Sequence, residues 1–352
     1  MFRRSIPPAL AGSGAPVHRL ALILATALLA VSACTGGSGA TSSPSATPAP
    51  SVAAVTASPP PADTPAPAFP TTVTDDEGTT VEIASEPQRI VSLTPASTEI
   101  LFALGAGPRV VATTDFDDYP PEAVELPDVA SFTSVDVEQI VGLEADLVIA
   151  GGNFFNPPDA ITRLRSLDIP VVVVYAPDLA AVLDDIELIG TAVGLADAAI
   201  EMVTTMQSGF DDVAGATATL PAPRTFYELD ATTAIYTAAD GSFIEEMIEL
   251  AGGDPITTGS TTDFAISLED LVAADPELIL LGDAAYGVTP EQVSARPSWD
   301  GMAAVRNGNI RPVNDVIITR PGPRLVDGLR ELALAINPDL VLPPFESIPA
   351  VR

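Results

Sequence analysis

Two stretches of this chain share one pattern, and that pattern strongly limits the possible folds. "VEQIVGLEADLVIAGG" occupies residues 137–152 and "LEDLVAADPELILLGD" occupies residues 268–283. In both, a short segment with helical spacing leads through a polar break into four consecutive apolar residues. Glu138 and Glu269 hold equivalent positions, 131 residues apart. A helical segment followed by a fully apolar strand is typical of a parallel sheet covered on both faces, so the repeat predicts two similar lobes.

The rest of the chain extends this prediction. Apolar runs such as "RIVSL", "RVVATT" and "PVVVVYA" alternate with helical patterns before residue 177, and "RTFYELD" and "NIRPV" do so after residue 220. The intervening segment, 178–220, lacks strand patterns and predicts a second helix of over twenty residues, roughly 30 Å long. The predicted fold is therefore α/β, with two parallel-sheet lobes joined by one long rigid helix.

The first seventy residues differ from the rest. Arginines precede a 12-residue apolar run, 20–31, which is too short to span a bilayer and predicts a signal peptide over residues 1–33. "VSAC" then resembles a bacterial lipobox, which makes Cys34 a lipidation site; the alternative is an ordinary signal peptide with an unrelated cysteine. Residues 34–70, rich in Pro, Ala, Ser and Thr, predict a disordered tether. The lobes follow at 71–177 and 221–345, with the helical segment 178–220 between them.

Composition excludes several classes of function. The chain has no Lys, 15 Arg, 47 acidic residues and a formal charge of −32, which disfavours binding to nucleic acid. Cys34 and His18 are its single Cys and His, so the predicted lobes lack the ligands of structural zinc and the base of a Ser–His or Cys–His enzyme. An enzyme with paired carboxylates is an alternative, but no such motif stands out. We therefore expect no enzyme, no resident cofactor and no metal site.

Several motifs occur in the order typical of one family. "RIVSLTPASTEILFALGAG", "DFDDYPPEA" and "EADLVIA" resemble the first lobe of the vitamin B12 and ferric-siderophore class of ABC-transporter substrate-binding proteins. "GSFIEEMIELAGGDPI", "ISLEDLVAADPELIL" and "RPGPRLVDGL" resemble the second lobe. The resemblance implies a helical-backbone binding-protein fold, a ligand held between the lobes, and a permease dimer with its ATPase as partner. We expect a monomer outside the cytoplasm, anchored by its lipid. A sensor or adhesin that keeps the fold but not transport is the alternative.

The resemblance also gives the repeat a meaning. In this family each lobe presents one surface glutamate to arginines of the permease, and the matching positions are Glu138 and Glu269. Another interpretation needs no partner: "DVEQ" and "SLED" both have the pattern of a helix N-cap with a capping-box residue, where a first-turn carboxylate is favoured anyway. The two interpretations are compatible.

The ligand is expected among loops at the strand ends of both lobes, where open α/β sheets bind ligands. Aromatic side chains recur in these loops, and ordinary core packing is the alternative for each of them. For Phe132 and Phe264 the cleft is favoured, because each lies a few residues before a docking glutamate; related B12 binders have Trp there. The candidate ligand-binding residues are Phe116, Tyr119, Phe132, Asn153, Phe154, Tyr236, Phe264, Tyr286, Arg320 and Arg324.

The charged residues near the predicted cleft favour some classes of ligand over others. Arg320 and Arg324 are a close basic pair that would suit an anionic ferric siderophore, although Arg324 would also fit on the surface of the last helix. Asp115, Asp117 and Asp118 disfavour a strongly anionic ligand. The order of preference is a corrinoid such as cobalamin, then a ferric siderophore, then haem.

Overall fold

The computed structural model describes residues 68–131, 133–153 and 155–351. The predictions for the signal peptide, Cys34, Phe132, Phe154 and almost all of the tether lie outside these residues.

The first lobe is a six-stranded sheet covered by helices on both faces. Its strands lie in the order β6-β5-β4-β3-β7-β8, all parallel except β6, and a separate antiparallel pair, β1-β2, precedes them. Its elements are β1 (Thr71–Thr74), β2 (Thr80–Ile83), β3 (Ile90–Ser92), α1 (Pro95–Leu104), β4 (Val110–Thr114), α2 (Pro121–Val124), β5 (Asp128–Ser131), β6 (Ser134–Val135), α3 (Val137–Gly142), β7 (Leu147–Gly151), α4 (Pro158–Arg165) and β8 (Val171–Val174).

Two helices connect the lobes: α5 (Leu179–Ala192) and α6 (Ala196–Thr217). The sharp turn between them uses Gly194, whose φ of 77° favours glycine, as a helix end at this position requires. At 22 residues, α6 confirms the predicted long helix.

The second lobe repeats the design with a smaller sheet. Four parallel strands lie in the order β11-β9-β13-β14, and β10 and β12 form a separate antiparallel pair. Its elements are β9 (Arg224–Glu228), β10 (Ile235–Tyr236), α7 (Phe243–Leu250), β11 (Asp254–Pro255), β12 (Ala265–Ile266), α8 (Leu268–Ala274), β13 (Leu278–Leu281), α9 (Pro290–Ser294), α10 (Ala303–Asn307), β14 (Ile310–Pro312), α11 (Asp315–Thr319) and α12 (Leu325–Ile336). The predicted fold class is confirmed, whereas the domain boundaries at 71–177, 178–220 and 221–345 stay a prediction.

One hydrophobic core extends through both lobes. It contains β3 and α1 of the first lobe, the inner faces of α5 and α6, and α7, β13 and α12 of the second lobe. Two further clusters cover the opposite faces of the two sheets. The contact between α6 and α12 is close: a Cβ at Gly209 would lie 2.4 Å from Cγ1 of Val326. The helices therefore pack at a distance that only glycine permits at this point.

The sequence repeat is also a structural repeat. Arg89, just before β3, donates from Nε to the carbonyl of Leu143 at 2.5 Å; Arg224, at the start of β9, donates from Nε to the carbonyl of Ala274 at 3.1 Å. The two acceptors are 131 residues apart, the offset of the repeat. Each helix is thereby attached to the first residues of the central strand of its own sheet.

Backbone geometry follows the same offset. Glu144 and Asp275 both have left-handed backbone, with φ of 53° and 45°. Two residues further on, the amides of Asp146 and Glu277 donate to the carbonyls of Arg89 and Arg224, at 3.0 Å and 2.8 Å. Both lobes therefore turn from helix to strand by the same route.

A buried carboxyl group lies between α5 and the β1-β2 turn. Asp185 is 6% exposed. Burial, a hydrogen bond shared with Asp76 and the charges of Asp76 and Asp184 raise the pKa of Asp185 to about 9. The group is therefore protonated in the folded protein at neutral pH.

We expect the free energy of unfolding to fall as the pH rises from about 5 to about 9, because the folded protein keeps a proton that the unfolded chain, with an ordinary pKa of 3.8, has lost. Asp185→Asn should remove this part of the slope, roughly 1 kcal/mol per pH unit, and should make the variant more stable than the wild type above pH ~7. Urea denaturation at several pH values measures both. Glu187→Gln, which neutralises an exposed carboxylate on the same helix that does not act on Asp185, should keep the wild-type slope; an unchanged slope in Asp185→Asn would contradict the assignment.

Candidate functional site

Loops at the carboxyl ends of the first sheet's strands contact the second lobe where the lobes meet. The amide of Phe243, at the start of α7, donates to the carbonyl of Pro177 after β8 at 3.0 Å. The amide of Leu179 donates to the Glu246 carboxylate at 2.8 Å. These hydrogen bonds join the exit of the first sheet to the second lobe, so the loops on either side are the candidate walls of the predicted cleft.

Exposed aromatic side chains occur at this edge. Four of them follow β4, β7, β8 and β13, and the fifth precedes β12. Among the described residues, the exposed aromatic side chains are Phe116 (47%), Phe155 (46%), Tyr175 (41%), Phe264 (36%) and Tyr286 (79%). Exposing large rings to water is unfavourable, and their concentration near this edge makes it the candidate ligand-binding surface.

The structure brings several predicted residues together. The Arg324 guanidinium lies over the ring of Tyr119, with its central carbon 4.1 Å from the ring centroid. Burial raises the pKa of Tyr119, so its hydroxyl stays protonated. Tyr236 pairs with Ala265 across β10 and β12, next to Phe264. Asn153 is exposed in the turn after β7.

The two predicted ligand-binding arginines bind carboxylates of the other lobe. Arg324 donates from Nε and from a terminal nitrogen to the two oxygens of Glu99, at 2.8 Å and 2.5 Å. Arg320 donates to Glu99 at 3.1 Å and to Asp118 at 2.5 Å. The Glu99 side chain, on α1, is only 2% exposed. The arginines therefore join the two lobes, and their role toward a ligand stays a prediction.

Other carboxyl groups at the strand ends are buried. Asp117 accepts from the hydroxyl and the amide of Thr114 at 2.6 Å and 2.8 Å, yet burial raises its pKa. Burial and the neighbouring Glu228 raise the pKa of Asp283 to about 7, and Glu228 itself accepts two hydrogen bonds from Arg296 at 2.5 Å and 2.7 Å. The edge of the second sheet thus has a carboxyl group that keeps its proton to a higher pH than an ordinary aspartate does.

The two predicted docking glutamates are exposed in the first turns of α3 and α8. The predicted N-caps are present: Asp136 accepts from the Gln139 amide at 2.9 Å, and Ser267 accepts from the Asp270 amide at 3.1 Å. The predicted capping boxes are wrong at both described helices. The Asp136 amide donates to the carbonyl of Val129 instead, and the Asp270 carboxylate accepts from the Ser267 hydroxyl rather than from its amide.

Sequence reasoning missed two parts of this site. Glu99 lay in a recognised motif but received no role, although a single charge in the apolar helix "PASTEILFAL" signals a buried carboxylate that needs a partner. The second missed residue is Tyr175. It comes directly after the four valines of β8, so the sequence alone places it at the carboxyl end of a strand. Unlike the exposed aromatic residues, Trp299 is a core residue: it packs against Phe226 on the second sheet and is 3% exposed.

A surface groove of about 330 Å³ lies along α5 and α6. Its lining combines leucines with carboxylates and contains none of the exposed aromatic side chains. Asp184, Glu187 and Asp211 are among its lining residues. The aromatic cleft is therefore the better candidate site for a large planar ligand.

Two kinds of feature are absent from the described residues. No group of three or more His, Cys, Asp or Glu side chains in this part of the chain is placed to hold a metal ion. Within the same residues, no helix combines the length and the apolar character needed to cross a bilayer.

Comparisons with known proteins agree with this architecture. The family described as "Periplasmic binding protein" matches residues 90–315. An uncharacterised ABC-transporter substrate-binding lipoprotein of Bacillus subtilis, YvrC, is 33% identical over 77% of this chain and 87% of its own length. The periplasmic vitamin B12-binding protein BtuF of Vibrio cholerae superposes with a TM-score of 0.62 and 28% identity, over 71% of this chain and 97% of its own. The periplasmic haem-binding protein RhuT of a Roseiflexus species superposes with a TM-score of 0.63 and 25% identity, over 71% of this chain and 97% of its own.

These relatives are binding proteins for small molecules rather than enzymes. The family match covers more than half of the chain and includes both sheets, with the aromatic edge between them. The chain therefore belongs to the periplasmic binding protein family, whose members work outside the cytoplasm.

Proposed function

We propose that this protein is the substrate-binding lipoprotein of an ABC importer, which captures a corrinoid between its lobes and delivers it to the permease. The observation that carries this proposal is the placement of the exposed aromatic rings. All five of those in the described residues lie at the ends of strands or beside the β10-β12 pair. A corrin macrocycle is large, flat and mostly apolar on its faces, and aromatic walls suit such a surface.

The charges of the cleft favour a corrinoid over the other two ligand classes. An anionic siderophore or the propionates of haem would need free cationic groups, whereas Arg320 and Arg324 are already bonded to Glu99 and Asp118. The lobes also lack His and Cys, which are common ligands of haem iron. The B12-binding relative supports the same choice. A ferric siderophore or haem, the latter bound by the Roseiflexus relative, remains the alternative.

The mature protein is proposed to be held at the membrane by a lipid on Cys34. The lipobox-like sequence and the name of the Bacillus subtilis relative, a lipoprotein, support this step. Residues 35–70 would then separate the lobes from the bilayer, which leaves the two docking glutamates able to reach a permease. We propose that the protein acts as a monomer, because one chain already supplies both lobes of the cleft.

Calorimetric titration of the purified protein with cyanocobalamin is the first test. We expect micromolar or tighter binding, with a ferric hydroxamate siderophore and haem binding more weakly. Tighter binding of the siderophore or of haem would refute the corrinoid and identify that ligand as the substrate instead. Binding of all three with equal affinity would contradict the specificity proposed here.

The aromatic rings supply a second prediction. Phe116→Ala and Phe264→Ala should each lower the affinity for cyanocobalamin by about tenfold, because each removes a ring from one wall of the cleft. The same calorimetric titration measures the change. Ile200→Ala removes a comparably exposed apolar side chain from α6 and should leave the affinity unchanged. If all three variants bind as the wild type does, the ligand does not lie against these walls.

The third prediction concerns the docking glutamates. Glu138→Ala combined with Glu269→Ala should abolish ligand uptake by cells while the affinity of the purified protein for its ligand stays unchanged, because both side chains lie on α3 and α8 outside the cleft. The matched control is Glu187→Ala with Glu291→Ala, which removes the same charge from exposed positions on α5 and α9. Uptake equal to wild type in the docking variant would refute the assignment.

A further inference from the structure

The strongest unassigned feature is an ion-pair cluster that bridges the lobes close to the exposed Phe116. Its centre is Glu99, whose two carboxylate oxygens accept hydrogen bonds from Arg320 and Arg324 at 2.5–3.1 Å. The arginines come from the turn between α11 and α12 of the second lobe, and Glu99 comes from the middle of α1 of the first. Because Glu99 is buried and both arginine side chains are 19% exposed, each charge depends on its partners.

Further contacts complete the cluster and direct the arginines toward the first lobe. Arg320 also bonds to Asp118 at 2.5 Å and approaches the carbonyl of Phe116 at 3.5 Å. Arg324 stacks on Tyr119. Two arginines and two carboxylates have a combined formal charge of zero. The cluster therefore gives an approaching ligand no net positive charge.

The remaining charges of the cleft segments are negative. Outside the cluster, the loops that hold the candidate ligand-binding residues contain further aspartates and no other arginine. Asp115, Asp240 and Asp263 are at least partly exposed there. Arg296 lies near the second lobe's edge, but it is bonded to Glu228. An anionic ligand would meet repulsion that a neutral or cationic ligand would not.

We propose that Glu99 determines the charge selectivity of the cleft. It holds Arg320 and Arg324 against the first lobe and cancels their charge, so that the site rejects anionic ligands and admits neutral or cationic ones. Glu99 is a positioning residue, since it acts through the arginines and does not touch the ligand. The inference rests on the proposed function for the position of the cleft, but it does not depend on the ligand being a corrinoid.

The test is equilibrium dialysis of the full chain, solubilised in detergent, against three coloured probes. Cyanocobalamin is neutral, ferrioxamine B is a cationic ferric complex and ferric enterobactin is an anionic one. The wild type should bind the anionic complex most weakly. Glu99→Gln should raise its affinity for ferric enterobactin by about tenfold relative to ferrioxamine B, because removing one nearby charge at the effective dielectric of a protein surface changes binding by about that factor. The quantity compared between variants is the affinity for ferric enterobactin divided by the affinity for ferrioxamine B. Comparing this ratio cancels the effect of the different probe shapes.

Two further variants separate charge selectivity from structure. Glu86→Gln neutralises a glutamate that is paired with Arg109 before β3, at the opposite end of the sheet, and should leave the ratio unchanged. Asp118→Asn alters only the exposed member of the cluster, so it tests the proposal even if Glu99→Gln fails to fold; it should shift the ratio in the same direction by a smaller factor. Raising the salt concentration should reduce both shifts.

The outcomes distinguish this inference from the proposed function. An unchanged ratio in both Glu99→Gln and Asp118→Asn, or a wild type that prefers ferric enterobactin, would overturn the charge-selectivity proposal. If no probe binds to the wild type, Glu99→Gln must still acquire affinity for ferric enterobactin, and its failure to do so would overturn the proposal too. A shifted ratio without any cyanocobalamin binding would support the role of Glu99 and refute the corrinoid.

Discussion

The packing of α6 against both lobes is the constraint on which the rest of the structure depends. Its inner face, which includes Met202, Met206 and Phe210, belongs to the same hydrophobic core as the helices of both sheets. Separating the lobes would expose this core to water at roughly 25 cal/mol per Å² of apolar surface. The close approach at Gly209 adds a shape requirement, since packed cores tolerate little displacement. We therefore expect the lobes to move little relative to each other, so that selection among ligands depends on the chemistry of the predicted cleft.

The repeat shows how one local design serves two lobes. In each, an arginine at the start of a central strand bonds to the last turn of the helix that bears an exposed glutamate, Glu138 or Glu269. The arginine side chain satisfies a carbonyl that the helix end would otherwise leave without a partner. Because the same bonds fix both helices, the two carboxylates are presented in similar local geometry. The two lobes would therefore present similar surfaces to the two equal halves of a permease dimer.

The parts of the fold that sequence predicted are those with long, uniform patterns. The run of four valines in β8, the echo of β7 in β13 and the length of α6 each depend on spacing within one segment. Two-residue strands such as β10 and β12 have no such pattern, because their pairing is decided by distant contacts. The capping boxes failed for a similar reason: the amide of Asp136 bonds instead to Val129, a choice that the four-residue motif cannot reveal. The partners of Glu99 lie more than two hundred residues away and were equally hidden.

The buried charge at Glu99 is better explained by selectivity than by stability. Replacing a buried ion pair by apolar residues of similar size is often neutral or stabilising, whereas removing one partner costs roughly 3–5 kcal/mol. The shared core around α6 already joins the lobes without it. Two loops that hold candidate ligand-binding residues, however, contribute to the cluster: the loop after β4 through Asp118 and Tyr119, and the turn between α11 and α12 through the two arginines. A charge group that adds little to folding but sets the potential beside the predicted cleft is therefore positioned to decide which ligands enter.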